Sequence, residues 1–170
     1  MPGTPPYGPS ALRAPLPEVL IVDDDPHLRK LLAATLDGAG YTIFEEPGGA
    51  EALIALERLA PDCMVLDLMM PGTDGFGVLR ERRRRGLAPD TRVLVLTAKT
   101  AERDFARSWE QGADEYLVKP FDPDDAVAAV EELLNASPAE LAERREAELR
   151  KAELLERLAS AFNRPRMGSR

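Results

Sequence analysis

Five short apolar runs, each followed by a stretch of helical periodicity, constrain the fold of this 170-residue chain more than any other feature. The runs are Val19-Leu20-Ile21-Val22, Thr42-Ile43-Phe44, Met64-Val65-Leu66-Asp67, Val93-Leu94-Val95-Leu96 and Glu115-Tyr116-Leu117-Val118. Each has the length and β-branched content of a buried strand bounded by turn residues. After the first, Asp25 and Pro26 form a helix start, with Leu28, Leu31, Leu32 and Leu36 at helical spacing and Gly38 and Gly40 as the stop. Ala52, Leu53 and Leu56 mark a second helix that Pro61 ends, and Phe76, Val78 and Leu79 begin a third. The third closes on Arg80 and Arg82–Arg85, which reads as a solvated end complementing the helix dipole. A fourth helix spans about Ala101–Gln111 before Gly112, and a fifth about Pro123–Asn135. The order βαβαβαβαβα calls for a parallel sheet with helices on both faces.

Right-handed crossovers place the C-terminal ends of such strands along one rim, where ligands bind in open α/β sheets. The residues that follow the apolar runs there are polar: Asp23 and Asp24, Asp67, Thr97, and Lys119. Three carboxylates in one cleft repel one another, and either raised pKa values or a bound cation must relieve them. An all-oxygen set of this kind suits Mg2+, which keeps part of its water shell. Lys119 adds a positive charge and Thr97 a hydroxyl donor, which makes a clamp for phosphoryl oxygens. Asp67 is then the natural nucleophile for an aspartyl-phosphate. For Asp25 the simpler role of helix cap is expected, and His27 reads as a surface histidine.

Composition narrows the partners. The formal net charge of −8 argues against a nonspecific nucleic-acid binder. The single cysteine, Cys63, excludes an internal disulfide and suits a reducing compartment. No apolar run is long enough to span a membrane and no signal pattern opens the chain, so a cytoplasmic location is expected.

With these residues in view, the chain resembles a receiver domain of a two-component response regulator, with a fold like that of the chemotaxis regulators. The resemblance lies in Ile21-Val22-Asp23-Asp24-Asp25, Val65-Leu66-Asp67 through Asp74-Gly75, Val95-Leu96-Thr97-Ala98 and Asp114-Glu115-Tyr116-Leu117-Val118-Lys119-Pro120-Phe121. It implies a flavodoxin-like, doubly wound five-stranded parallel sheet of order 2-1-3-4-5 with five helices, plus a C-terminal extra helix here. It also implies that Asp67 is the phospho-acceptor for a sensor histidine kinase or phosphotransfer protein. Asp23, Asp24, Asp67 and the backbone carbonyl of Met69 would hold Mg2+. Thr97 and Tyr116 would act as the switch, Lys119 would bind the phosphoryl group, and its bond to Pro120 would be cis. Phosphorylation would then reshape the face of helix 4, strand 5 and helix 5 for a downstream protein target. Met69 and Lys99, two residues after Asp67 and Thr97, border the path of an attacking water and are expected to slow dephosphorylation.

The expected organisation is a Pro-rich disordered leader over 1–17, the receiver over 18–136, a helical extension over 137–163 and a flexible basic tail over 164–170. Ser137-Pro138-Ala139-Glu140 reads as a capping box for the extension, and Glu140/Arg144, Glu146/Arg150 and Glu153/Arg157 are i,i+4 pairs. Its apolar stripe is interrupted by Arg144, Glu148 and Lys151, so a strong coiled coil is not expected, and a helix folded back on the receiver and a dimer seam both stay open. A homodimer through helix 4, strand 5 and helix 5, or through the C-terminal helix, is the other expected assembly. The leading expectation is a single-domain regulator, not an enzyme on a separate substrate, acting by protein contact without direct nucleic-acid or membrane binding. The alternative is a receiver fragment whose helix 138–162 couples to a further output domain. A phosphohydrolase built on an aspartyl-phosphate fits less well, because such enzymes place the nucleophile after strand 1.

Overall fold

The computed structural model describes residues 15–98 and 102–162. Lys99, the leader through residue 14 and the tail from residue 163 lie outside the described residues. The element order is β1 (Glu18–Val22), α1 (Pro26–Gly38), β2 (Thr42–Glu46), α2 (Gly49–Leu59), β3 (Cys63–Asp67), α3 (Gly75–Arg85), β4 (Arg92–Ala98), α4 (Glu102–Glu110), β5 (Glu115–Lys119), α5 (Pro123–Asn135) and α6 (Pro138–Phe162). All neighbouring strands pair in parallel, in the order β2-β1-β3-β4-β5.

Alternation along each strand divides the core into two layers. Leu20, Val22, Met64, Leu66, Val93 and Val95 point to one face, where they meet Ala52, Ala55 and Leu56 of α2 and Phe76, Val78 and Leu79 of α3. Val19, Ile21, Cys63, Val65, Leu94 and Leu96 point to the other, against Leu32 and Leu36 of α1 and Ala126, Val130 and Leu133 of α5. Strands covered on both faces read as continuous apolar runs, which is why β1, β3 and β4 stand out in the sequence. β2 and β5 lie at the two edges and are only partly buried.

Local chemistry sets the helix starts. The Asp25 carboxylate accepts from the amides of His27 at 2.8 Å and Leu28 at 3.4 Å, with Pro26 as the first helical residue. Asp74 caps α3 by accepting from the Gly77 amide at 2.7 Å. Asp122 and Asp125 form a capping box on α5, and Ser137 and Glu140 form another on α6. Two glycines allow close approach. A Cβ on Gly75 would overlap the Asp67 carbonyl oxygen, and one on Gly49 would overlap that of Thr73.

The basic end of α3 is solvated as expected at Arg80, Arg83, Arg84 and Arg85, and Arg82 alone departs from that reading. Arg82 folds inward, and its Nη2 donates to the carbonyls of Ala88 at 2.7 Å and Thr91 at 2.8 Å. Arg83 donates to Glu110 O at the end of α4, while Arg84 pairs with Glu81 and Arg85 with Glu57. The loop to β4 presents carbonyls that need donors, and an arginine fork supplies several at once. Cys63 is fully buried and its thiol is pushed up to about 12 by burial, as a structural thiol should be. No described helix is long and apolar enough to cross a membrane.

Candidate functional site

The C-terminal ends of β1, β3, β4 and β5 deliver Asp23 and Asp24, Asp67, Thr97 and Lys119 to one rim of the sheet. Asp23 is fully buried and Asp67 is 3% exposed, whereas Asp24 faces solvent. Oxygens of the three carboxylates lie within 4.8 Å of one another. Lys119 Nζ stands between two of them, 2.9 Å from Asp23 Oδ2 and 3.2 Å from Asp67 Oδ2. The Lys119–Pro120 bond is cis.

Backbone donors hold the carboxylates in place. Asp23 Oδ1 accepts from the Asp25 amide at 2.8 Å, and Asp67 Oδ1 accepts from the Met69 amide at 3.2 Å. The β3–α3 loop folds back over Asp67, closed by the Gly75 amide donating to Leu68 O at 3.1 Å. This close return is the reason residue 75 has no side chain. The side chain of Met69 is 69% exposed at the mouth of the site.

One ammonium cannot neutralise three carboxylates, and the cluster keeps a negative charge when all are ionised. Burial pushes the Asp67 carboxyl above the ordinary carboxylate range, against the opposing pull of the Met69 amide and Lys119, while the charge of Asp23 adds to the rise. For Lys119 burial acts downward, but its hydrogen bond to Asp23 and the charges of Asp67 and Asp23 outweigh it, so its ammonium is held above the usual lysine range. The site is therefore short of positive charge. An all-oxygen donor set at this spacing is what a hard divalent cation requires, so the residues fit such an ion.

Thr97 is 5% exposed, and its hydroxyl donates to Ala98 O at 3.1 Å. Tyr116 packs against the α2/α3 side of the core, its ring edge-on to Trp109 of α4 with centroids 6.1 Å apart. Trp109, 3% exposed, is thus a packing residue.

Arg29 also bears on the site. Its Nη1 donates to the Asp23 carbonyl at 2.7 Å and its Nε lies 3.4 Å from Glu45 Oε2, pinning the acidic loop between α1 and β2. An arginine one turn into a helix that starts at an acidic triplet was the available signal.

The chain is similar in sequence and in fold to known receiver domains. Residues 19–131 match the model of the response regulator receiver domain family. The chain is 40% identical over 119 residues to the DNA-binding dual master transcriptional regulator RpaA of Synechocystis, covering 70% of this chain and 49% of that protein. It is 41% identical over 125 residues to the DNA-binding response regulator MtrA of Mycolicibacterium smegmatis, covering 74% of this chain and 54% of that one. The solved structure of the Vibrio cholerae chemotaxis protein CheY4 superposes with a TM-score of 0.66 at 30% identity, over 69% of this chain and 98% of that one. The chain spans about half the length of the curated relatives it matches.

Proposed function

The chain belongs to the response regulator receiver domain family, and on that premise we propose that Asp67 accepts a phosphoryl group from a sensor histidine kinase or phosphotransfer protein. The observation that carries this reading is the Asp67 carboxylate, buried at the end of β3 with Lys119 at 3.2 Å and two further carboxylates beside it. In the transfer, an Asp67 carboxylate oxygen forms a bond to phosphorus as the bond from phosphorus to the donor nitrogen breaks. Asp23, Asp24, Asp67 and the Met69 carbonyl are the residues that would hold Mg2+. When bound, that ion neutralises phosphoryl oxygens. Lys119, held between two carboxylates, turns to the new phosphoryl group. Thr97 exchanges the Ala98 carbonyl for a phosphoryl oxygen as its acceptor, and Tyr116 follows it inward. The chain turns over no separate substrate in this reading, and its place of action is the cytoplasm.

Met69, exposed and two residues after Asp67, is assigned the role of an apolar side chain that hinders an attacking water, and Lys99 is assigned the same role from sequence. Slow dephosphorylation is expected, and a phosphorylated half-life of seconds would rule this out. Metal binding is tested by calorimetric titration with Mg2+: the wild-type chain should bind one equivalent, and Asp23→Asn or Asp67→Asn should weaken it at least about tenfold, the loss of one charged ligand.

Two readings of the output follow. In the first, the chain acts alone through a protein partner or a homodimer at α4, β5 and α5 or at α6. In the second, α6 couples the receiver to a further output domain. The coverage of the DNA-binding relatives favours the second. Any nucleic-acid contact would then belong to that further domain and not to the acidic receiver.

A further inference from the structure

We infer that the surface formed by the start of β5, the end of α5 and the flank of α4 is a docking site for a helix bearing paired arginines, that α6 occupies it in cis, and that the state of Asp67 controls this occupancy. The control, though not the docking, rests on the phospho-acceptor reading above.

α6 crosses the open edge of the sheet. It starts on the α1/α5 side, where Leu141 is 3% exposed in the core layer, and then runs against α4. At the crossing, Arg145 Nη2 pairs with Asp114 Oδ1 at 2.5 Å and its Nε donates to Ala113 O at 3.2 Å. Asp114 is itself built into the sheet: its Oδ2 accepts from the Val93 amide and its own amide donates to Val93 O, both at 2.9 Å. Arg144 reaches Glu132 of α5 at 2.7 Å and Glu115 of β5 at 3.9 Å. Arg92 of β4 adds a bond to Ala136 O at 3.3 Å. Two adjacent arginines thus meet three acids contributed by two elements and the turn before β5. This is a fit of charge to charge around a buried leucine.

Only the first half of α6 is held. Ala152 is its last partly buried residue through residue 160, and Leu154, Leu155 and Leu158 are 58%, 38% and 47% exposed. A helix of 25 residues is about 37 Å long, against about 13 Å for the nine residues of α4. Its grip is confined to Leu141, the arginine pair and the partly buried Glu148, Leu149 and Ala152, and a change in the footing of this half can release it.

That footing is connected to the site. Lys119 and Glu115 are opposite ends of the same five-residue strand, about 13 Å apart. α4 follows β4, and thus Thr97, after three intervening residues. Tyr116 of β5 abuts Trp109 of α4. Among the described residues, Trp109 Nε1 and Gln111 Oε1, buried near the end of α4, have no hydrogen-bond partner. Orphan polar atoms favour any second placement of α4 that satisfies them. A phosphoryl group that redirects Thr97 and Lys119 would draw on this second placement, and the surface beneath α6 would change with it.

The test is amide hydrogen exchange on the full chain with Mg2+, with and without beryllofluoride, read beside the fluorine spectrum of the bound mimic. The variants are Arg145→Ala, Arg145→Lys and Asp67→Asn. A released α6 frays, because a lone helix is marginal in water. Beryllofluoride should speed exchange across residues 141–152 about tenfold or more, and not in Asp67→Asn. Arg145→Ala should do so without the mimic while β1 and β3 stay protected, and Arg145→Lys should restore part of the protection. Bound mimic with unchanged α6 exchange would overturn the control and leave the acceptor reading standing. Unchanged exchange in Arg145→Ala would overturn the docking. Failure of the wild-type chain to bind the mimic would remove the acceptor reading and the control together.

Discussion

Asp67 is asked to be ionised in a place that resists ionisation. It is 3% exposed, and burial raises its pKa despite Lys119 at 3.2 Å. A folded-state pKa above the unfolded value means that the ionised carboxylate costs stability. The cost is present at neutral pH and is relieved as pH falls through the raised pKa toward about 3.9. Asp67→Asn should therefore stabilise the metal-free protein, by about 3 °C for each kcal/mol recovered, in a thermal melt at pH 7. The same variant should lose most of the further rise that Mg2+ gives the wild type. An unchanged Mg2+ response in Asp67→Asn would mean that the cation binds elsewhere. Asp23, Asp24, Asp67, Thr97 and Lys119 were all legible in the sequence, because each ends an apolar run and such positions share one rim of a parallel sheet. Arg29 was not. Its function comes from reaching a backbone carbonyl, and carbonyls leave no mark in a sequence.

Among the elements, the β3–α3 loop and α6 are the most exposed to test. Gly75 lies so close to the Asp67 carbonyl that a methyl group must displace one of them. Gly75→Ala should cost about 1–3 kcal/mol in denaturant unfolding, the usual range for overpacking. It should also weaken Mg2+ binding, since the displaced carbonyl belongs to a ligand residue. Ser137→Ala removes the acceptor of the Glu140 amide and should destabilise the start of α6 by about 1 kcal/mol. Exchange should quicken in the first turn of α6 and stay unchanged in β1 and β3; quickening throughout the sheet would show that the cap matters to the whole fold. The cap was readable from Ser137 and Glu140, as was the helix itself. Its landing place was not, because the contacts of Arg144 and Arg145 join residues far apart in sequence, and the local i,i+4 pattern offered Arg144 a different partner in Glu140.

For the whole molecule, strand alternation gives two core layers, and the single switch of sheet direction beside β1 opens the rim on which Asp23, Asp24, Asp67 and Lys119 meet. The element order followed from periodicity. The strand order did not, because edge strands β2 and β5 carry weaker patterns, and it entered with the family resemblance. Sequence periodicity is equally silent on what lies beyond the receiver, where relatives of about twice the matched length bind DNA. The most direct test of the phospho-acceptor role is chemical. The full chain is incubated with phosphoramidate and Mg2+, its intact mass is measured, and the modified residue is mapped by borohydride trapping. One added phosphoryl group on Asp67, absent without Mg2+ and absent in Asp67→Asn, is the expected result. No added phosphoryl group, or one carried by another residue such as His27, would show that this rim of carboxylates serves a different chemistry.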